Sequence, residues 1–369
     1  PRQQASLGVI AEALADEAFC RWLVRSIGAT TQIATEGGAT LAFEPGPRYE
    51  ELVGAVGDAA WSLTPLPAGR HTLVVCDARV LLKVYRRPTL GPNPELEMGR
   101  HLGDVLRQPH CLPVAGSVHW RAADGTSMLV ALLQPHRPQQ GHARDLVVER
   151  VAAAFERAQD GTQALGDGLE ALAARLRVLG QRAAALHASL AQPTGDPAFE
   201  PQPVRAQDLD RWIDEVCAGL APSPVTQQLV DAAREVPARG VRIRIHGRLR
   251  LLHVQVTQDD FLFVDFEGDP SQPLDMRRAL HTPLRDLGTL LGSVVEAVGL
   301  AAARCARPPP GEAIALAVDA LRQAVLQSYG QTAVTAGLWP EASAFEAEAP
   351  LRRLFEHAAI PLPPATLDS

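Results

Sequence analysis

Of the 35 basic side chains in this sequence, 34 are arginine and one, Lys83, is lysine. Arginine offers a flat fork, whereas lysine is a compact point charge, so a position that keeps the only amine is a candidate for a phosphate contact. Lys83 lies near the end of the apolar run Val80 to Tyr85, and Glu95 and Glu97 follow in a stretch of helical spacing. A strand lysine aimed at phosphate needs a carboxylate beside it to stay charged and oriented; Glu97 has the expected order and Glu95 competes with it. Much later, the apolar run Phe261 to Val264 ends in Asp265-Phe266-Glu267-Gly268-Asp269-Pro270, which puts hard oxygen ligands at a strand end, where a magnesium ion binds well. Upstream of it, His246-Gly247 closes another short strand. A lysine, a helix glutamate, metal-binding carboxylates and a loop that orients an acceptor hydroxyl are together the parts of phosphoryl transfer. Taken singly, Lys83 and its glutamates read as surface residues and D-F-x-G is a weak signal; their order along one chain is what carries weight.

The elements that must hold these residues can be read from periodicity. Leu7 to Ile27 has helical spacing, and Thr40 to Phe43 before Pro45-Gly46-Pro47 reads as a strand and turn. Leu73 to Cys76 and Val80 to Tyr85, joined at Asp77-Ala78, predict a hairpin with Lys83 near its end. Gly91-Pro92-Asn93-Pro94 breaks the chain before a helix over Glu95 to Leu106, with Pro94 suited to its first turn. Strands over Pro113 to Trp120 and Met128 to Gln134 flank the turn Asp124-Gly125, and Pro135-His136-Arg137-Pro138 reads as a hinge. Beyond it, Asp145 to Gln159, Asp167 to Leu190, Gln207 to Cys217, Leu284 to Val298 and Ala313 to Tyr329 are helical, and Val241 to Ile245 and Phe261 to Phe266 are strand-like. The expectation is an α+β chain in three parts: a helical and β cap-like segment 1–66, a nucleotide-binding part 67–134 and a mainly helical part 135–369.

Composition excludes other classes. The net charge of −7 and the scatter of arginines among carboxylates leave no basic stripe for nucleic acid. No run of about 18 apolar residues predicts a membrane span, and the expected location is the cytoplasm. The cysteines (Cys20, Cys76, Cys111, Cys217, Cys305) are far apart and predict reduced, packed thiols. His110, His119, His136 and His142 are read as loop residues with no role.

Leu82-Lys83-Val84-Tyr85-Arg86-Arg87, Gly91-Pro92-Asn93-Pro94-Glu95-Leu96-Glu97, Leu186-His187, His246-Gly247, Asp265 to Pro270 and Pro283-Leu284-Arg285-Asp286, in this order, resemble the maltokinases, relatives of the aminoglycoside phosphotransferases often found beside or fused to trehalose synthase. The resemblance spans most of the chain and extends to Leu354-Phe355-Glu356 and Ile360-Pro361-Leu362. It implies a bilobal protein-kinase-like fold, with a small N-lobe of antiparallel sheet and one helix and a larger, mainly helical C-lobe. It implies ATP and Mg²⁺ as cofactors and maltose as acceptor, giving maltose 1-phosphate for α-glucan synthesis, and trehalose synthase or another α-glucan enzyme as partner. It also implies nucleotide contacts from Lys83, Glu97 and Thr72, the last in the phosphate-covering turn Ala68-Gly69-Arg70-His71-Thr72-Leu73, and metal contacts from Asp265, Glu267 and His253.

The catalytic loop departs from this pattern. Where the family reads H-G-D-x-H-x-G-Q, this chain reads His246-Gly247-Arg248-Leu249-Arg250-Leu251-Leu252-His253. Arg248 stands at the aspartate position, and a guanidinium stays protonated at physiological pH, so it cannot act as a general base. His253 stands at the glutamine position, and imidazole suits softer ions better than magnesium. The leading expectation is a catalytically impaired, pseudokinase-type regulatory or assembly module. The alternative is an active maltokinase in which Asp269 or Glu267 orients the acceptor. Charge further predicts that Arg248, with Arg250, pairs with Asp265 or Glu267 and fills the metal site.

Overall fold

The computed structural model describes residues 12–57, 59–66, 69–158 and 162–360. The chain divides into two compact units, Pro1–Pro138 and Gln139–Ser369, and the boundary falls in the Pro135–Pro138 segment that reads as a hinge.

In the first unit, one antiparallel sheet is built from β1 (Gln32–Ala34), β2 (Thr40–Pro45), β3 (Leu63–Pro65), β4 (Thr72–Cys76), β5 (Val80–Val84), β6 (Gly116–Arg121) and β7 (Ser127–Pro135), in the order β1-β2-β6-β7-β5-β4-β3. Segment 1–66, expected as a separate cap, therefore contributes three strands to the sheet that carries Lys83. The β4–β5 hairpin turns at Asp77 and Ala78, both with positive φ (54° and 52°), the backbone that matches strand twist in a two-residue turn. Lys83 pairs with Leu73 on one side and Leu132 on the other, so it sits inside the sheet rather than at an edge.

Three helices accompany this sheet. Helix α1 (Glu17–Gly28) is capped by Asp16, whose carboxylate accepts from the Phe19 N–H; residues 7–11 of the expected helix lie outside the described residues. It packs Cys20, Val24 and Ile27 onto Phe43, Val118 and Leu133 of the sheet. Helix α2 (Tyr49–Val53) is one turn, and α3 (Pro94–Arg100) begins at Asn93, whose side chain accepts from the N–H groups of Glu95 and Leu96. The helix expected to run to Leu106 continues past Arg100 as a π-helical turn over His101–Val105.

The second unit is mainly helical, as expected: α4 (Ala143–Arg157), α5 (Thr162–Leu190), α6 (Ala206–Cys217), α7 (Pro224–Arg234), α8 (Leu274–Arg278), α9 (Leu284–Arg304), α10 (Gly311–Thr335), α11 (Ala342–Ala347) and α12 (Ala349–Ala359). Two strand pairs interrupt them, β8 (Gln202–Pro203) with β9 (Val241–Arg242), and β10 (Val254–Val256) with β11 (Phe261–Phe263). Helix α5 lies along α10, where Gly180 leaves no room for a Cβ against Ser328 and the Val325 carbonyl. Helix α9 is long and apolar enough to cross a membrane, yet it is a core helix, packed between α4, α10 and α12 and carrying a fully buried Asp286. Leu354, Phe355 and Glu356 lie on α12, and Pro361 and Leu362 lie outside the described residues.

Candidate functional site

In the first unit, Lys83 is only 5% exposed and its Nζ donates to Glu95 Oε2 at 2.6 Å. The hydroxyl of Tyr85 donates to the same oxygen at 2.6 Å, and the ammonium stands 5.3 Å from the Tyr85 ring centroid. His71 closes the cluster edge-on to Tyr85 at 4.7 Å. The helix carboxylate on Lys83 is thus Glu95, the competing candidate, and the expected pairing with Glu97 is corrected. Asn93 caps the helix two residues before Glu95, which meets Lys83 from the first turn, and Glu97 stands about 200° further round the axis. Thr72, expected to meet a nucleotide, donates its hydroxyl to Glu12 at 2.7 Å and accepts from Arg86 at 2.9 Å. Of its turn, Ala68 lies outside the described residues.

In the second unit, the loop after β9 is held from below by Asp286, on the first turn of α9. Its Oδ2 accepts from the His246 backbone N–H at 2.7 Å and its Oδ1 from the Gly247 N–H at 2.9 Å. His187 on α5 contacts the same carboxylate through Nε2 at 3.3 Å, and its Nδ1 lies 2.7 Å from the Tyr329 hydroxyl on α10. This order fixes the tautomer: Nε2–H donates to the carboxylate and Nδ1 accepts from the phenol. Burial alone would push the Asp286 carboxyl up, but the bonds from His187 and His246 outweigh it and hold the carboxyl below its usual range. Sequence reading gave Asp286, His187 and Tyr329 no role. Two of them stood in the quoted motifs, but their meeting joins α5, α9 and α10 across long sequence separations.

Two loops meet in front of this anchor. A Cβ on Gly247 would stand 3.3 Å from the Cα of Gly268, so the His246-Gly247 loop and the Asp265–Gly268 turn approach backbone to backbone. Asp265 adopts φ 67°, a left-handed conformation that costs a non-glycine residue about 1 kcal/mol or more. His246 donates through Nε2 to the Val264 carbonyl at 3.0 Å, and its ring stacks on His253 at 5.5 Å and 22°. Burial, then the His246 beside it, lowers the His253 pKa to about 4.

The charged side chains of the loop do not fill this space. Arg250 donates to Glu296 at 2.6 Å and to the Ala359 carbonyl at 3.0 Å, and Arg248 is exposed and forms no ion pair among the described residues. The expected pairing of these arginines with Asp265 or Glu267 is therefore corrected. The 3-10 turn over Leu251–His253 draws Arg250 down towards α9 and α12, and Arg248 is left pointing to solvent.

No protein-family model matches the chain. Among solved structures it is similar to glucosamine kinase in complex with glucosamine, ADP and inorganic phosphate, at 17% identity and a TM-score of 0.63 over 93% of this chain and 76% of that one. A second glucosamine kinase structure, crystal form B, matches at 16% identity and a TM-score of 0.65 with the same coverage. A third, crystal form A, matches at 19% identity and 0.59 over 89% of this chain and 78% of that one. The fold is kinase-like. It comprises the antiparallel-sheet unit and the larger helical unit expected of it.

Asp286 holds the backbone of the His246-Gly247 loop, and the side chain at position 248 is an arginine. No carboxylate occupies position 248. Asp269, one substitute, accepts from the N–H and hydroxyl of Ser271 at 3.0 and 2.8 Å, closing its own turn. Glu267, the other, is buried, with its carbonyl accepting from Arg277 at 3.2 Å. For magnesium the donors divide. Oxygens of Asp265 and Glu267 lie within 4.8 Å of one another, which suits a hard cation, but Asp265 is also 3.6 Å from the Nε2 of His253. Magnesium demands near-ideal oxygen coordination and takes imidazole poorly, so His253 does not fit it.

Proposed function

We propose that this chain is a kinase-like protein that holds a nucleotide through Lys83 and Glu95, has lost efficient phosphoryl transfer, and serves as a regulatory or assembly module. The observation that carries the reading is the contrast at one loop. Asp286 fixes the backbone of His246 and Gly247, while the side chain that would orient an acceptor is Arg248, exposed and without an ion pair among the described residues. Positioning and electrostatics supply most of the rate in phosphoryl transfer, and a placed base adds about 10²–10⁴-fold. A guanidinium there supplies no base and repels none of the nucleotide's charge, so binding without turnover is the consistent state.

The sugar and the partner rest on the resemblance to the maltokinases: a place in trehalose and α-glucan metabolism, with trehalose synthase or another α-glucan enzyme as the protein it attaches to. The active alternative, an ATP-dependent maltokinase making maltose 1-phosphate, needs Asp269 or Glu267 as its acceptor-orienting group, and the Ser271 bonds and the burial of Glu267 speak against both.

Calorimetric titration of ATP, followed by an ADP-release assay with maltose and with glucosamine, tests the reading. It requires ATP binding that Lys83→Ala abolishes, no sugar-dependent ADP, and appearance of such ADP in Arg248→Asp. Turnover by the unaltered chain refutes the impaired reading, and absence of ATP binding refutes the nucleotide. Co-elution with trehalose synthase on gel filtration tests the partner, and separate elution rejects it.

A further inference from the structure

We propose that an arginine-lined cleft in the second unit, between the β9 strand, α6 and α8, binds the phosphate group of a small hydroxylated molecule of the sugar-phosphate or polyol-phosphate class. The cleft measures about 380 Å³ and is lined by Arg211, Arg242, Arg244 and Arg278, with Gln202 and Asp275 as its other polar side chains. It uses neither Lys83 nor position 248, so it is independent of nucleotide binding and of phosphoryl transfer.

Two of these arginines share a face because of strand alternation. Arg242-Ile243-Arg244 runs on from β9, so both guanidinium groups take one side while Ile243 takes the other, in the core. Ile243 exchanges both backbone hydrogen bonds with His281, at 2.9 and 2.8 Å, which ties this strand to the segment that carries Arg278. The His281 ring in turn stacks on Trp212 at 4.3 Å and 21°, and Trp212 follows Arg211 on α6. The three elements that supply arginine are thus fixed to one another before any ligand arrives. Arg242 donates to Asp208 at 2.7 Å and to Gln202, and Arg211 lies 3.5 Å from Asp208 and 3.6 Å from Glu215. Arg244 is 1% exposed and stands 4.9 Å over the Phe199 ring.

Charge and donor geometry select the ligand. Four guanidinium groups line the cleft against one carboxylate, Asp275, and with Asp208 and Glu215 counted the cations still outnumber the acids. Each arginine carries five N–H donors in a planar fork, so an anion joins the contacts these side chains already make. A phosphate monoester brings about −1.5 to −2 of charge and three terminal oxygens, which matches several forks better than the single charge and two oxygens of a carboxylate. The cleft is larger than a phosphate needs and falls in the range of about 300–1,000 Å³ typical of small-molecule sites, which leaves space for an organic body. Gln202 accepts from Arg242 through Oε1, which leaves its amide N–H groups as donors, and Asp275 offers an acceptor; both suit hydroxyl groups.

The test is calorimetric titration of the full chain with glycerol 3-phosphate, with inorganic phosphate and glycerol titrated in parallel. The proposal requires saturable binding of glycerol 3-phosphate, weaker binding of inorganic phosphate and none of glycerol. Arg211→Gln and Arg278→Gln should each weaken binding of the ester about tenfold, and the two together should abolish it. Arg177→Gln, on α5 and outside the cleft, removes the same charge and should leave binding unchanged, as should Lys83→Ala. Arg211 is exposed and Arg278 partly so, and their variants keep the test valid where Arg244→Gln, deep in the interior, does not fold. Absence of saturable binding, inorganic phosphate held as tightly as the ester, or undiminished affinity in the double variant overturns the inference. Loss of binding in Lys83→Ala also overturns it, because the phosphate is then held in the first unit.

Discussion

Removal of the Asp286 carboxylate should unfold the second unit far more readily than any change at Arg248. Asp286→Ala leaves the N–H groups of His246 and Gly247 and the Nε2–H of His187 without the acceptor they now share, His246 and His187 in the interior and Gly247 partly buried. Each buried donor left unsatisfied costs about 1–3 kcal/mol, and some are regained by water entering the space, so a net loss of roughly 3–5 kcal/mol is expected. For a unit of this size about 1 kcal/mol shifts the melting temperature by about 2–4 °C, which gives a fall of roughly 6–20 °C. Arg248→Ala, exposed and without an ion pair, should stay within about 0.5 kcal/mol. Thermal unfolding by circular dichroism measures both, and hydrogen exchange at the His246 and Gly247 amides reports the loop itself: protection should drop in Asp286→Ala and persist in Arg248→Ala. A loss below about 1 kcal/mol with unchanged amide protection would refute the claim that this carboxylate holds the loop.

Other outcomes follow from single contacts. Glu95→Gln should weaken ATP binding several-fold in calorimetry while Glu97→Gln changes it less than about twofold, because the ion pair on Lys83 is that of Glu95. The stability of the second unit should fall in acid: the folded His253 titrates near 4 against an ordinary value of 6.5, so the folded state binds fewer protons. No penalty exists above pH 6.5, it grows as pH falls and it levels off below about 4, at no more than roughly 3 kcal/mol. Urea titrations from pH 7.5 to 4 should show a shallower slope in His253→Gln than in the unaltered chain; an equal slope would assign the acid sensitivity elsewhere, His281 being the next buried imidazole with a depressed pKa. Gly180→Ala should lower the melting temperature by several degrees, since its new methyl meets Ser328 and the Val325 carbonyl where α5 lies on α10.

Much of this protein was legible in its residues. The break at Pro135–Pro138, the β4–β5 hairpin with Lys83 and the cap that starts α3 are set by local chemistry: positive-φ turns, an Asn-Pro start and alternating apolar runs. That position 248 carries a guanidinium, which cannot act as a base, is likewise a matter of residue type and needs no coordinates. What tertiary structure decided was every pairing between distant segments. Sequence order favoured Glu97 for Lys83, but the direction in which α3 leaves its cap presents Glu95. Charge favoured Arg248, with Arg250, on Asp265 or Glu267, but Arg248 forms no ion pair among the described residues and the turn over Leu251–His253 delivers Arg250 to Glu296, because a short helical turn rotates each successive side chain by about a third of a circle. His187 and Asp286 stood in quoted motifs, but their junction with Tyr329 could not be read from them, since three helices must pack before their polar atoms meet. Residue identity bounds the chemistry a chain can do, and packing chooses which of the possible partners each polar atom meets, because only the folded chain sets the distance over which a hydrogen bond or ion pair forms.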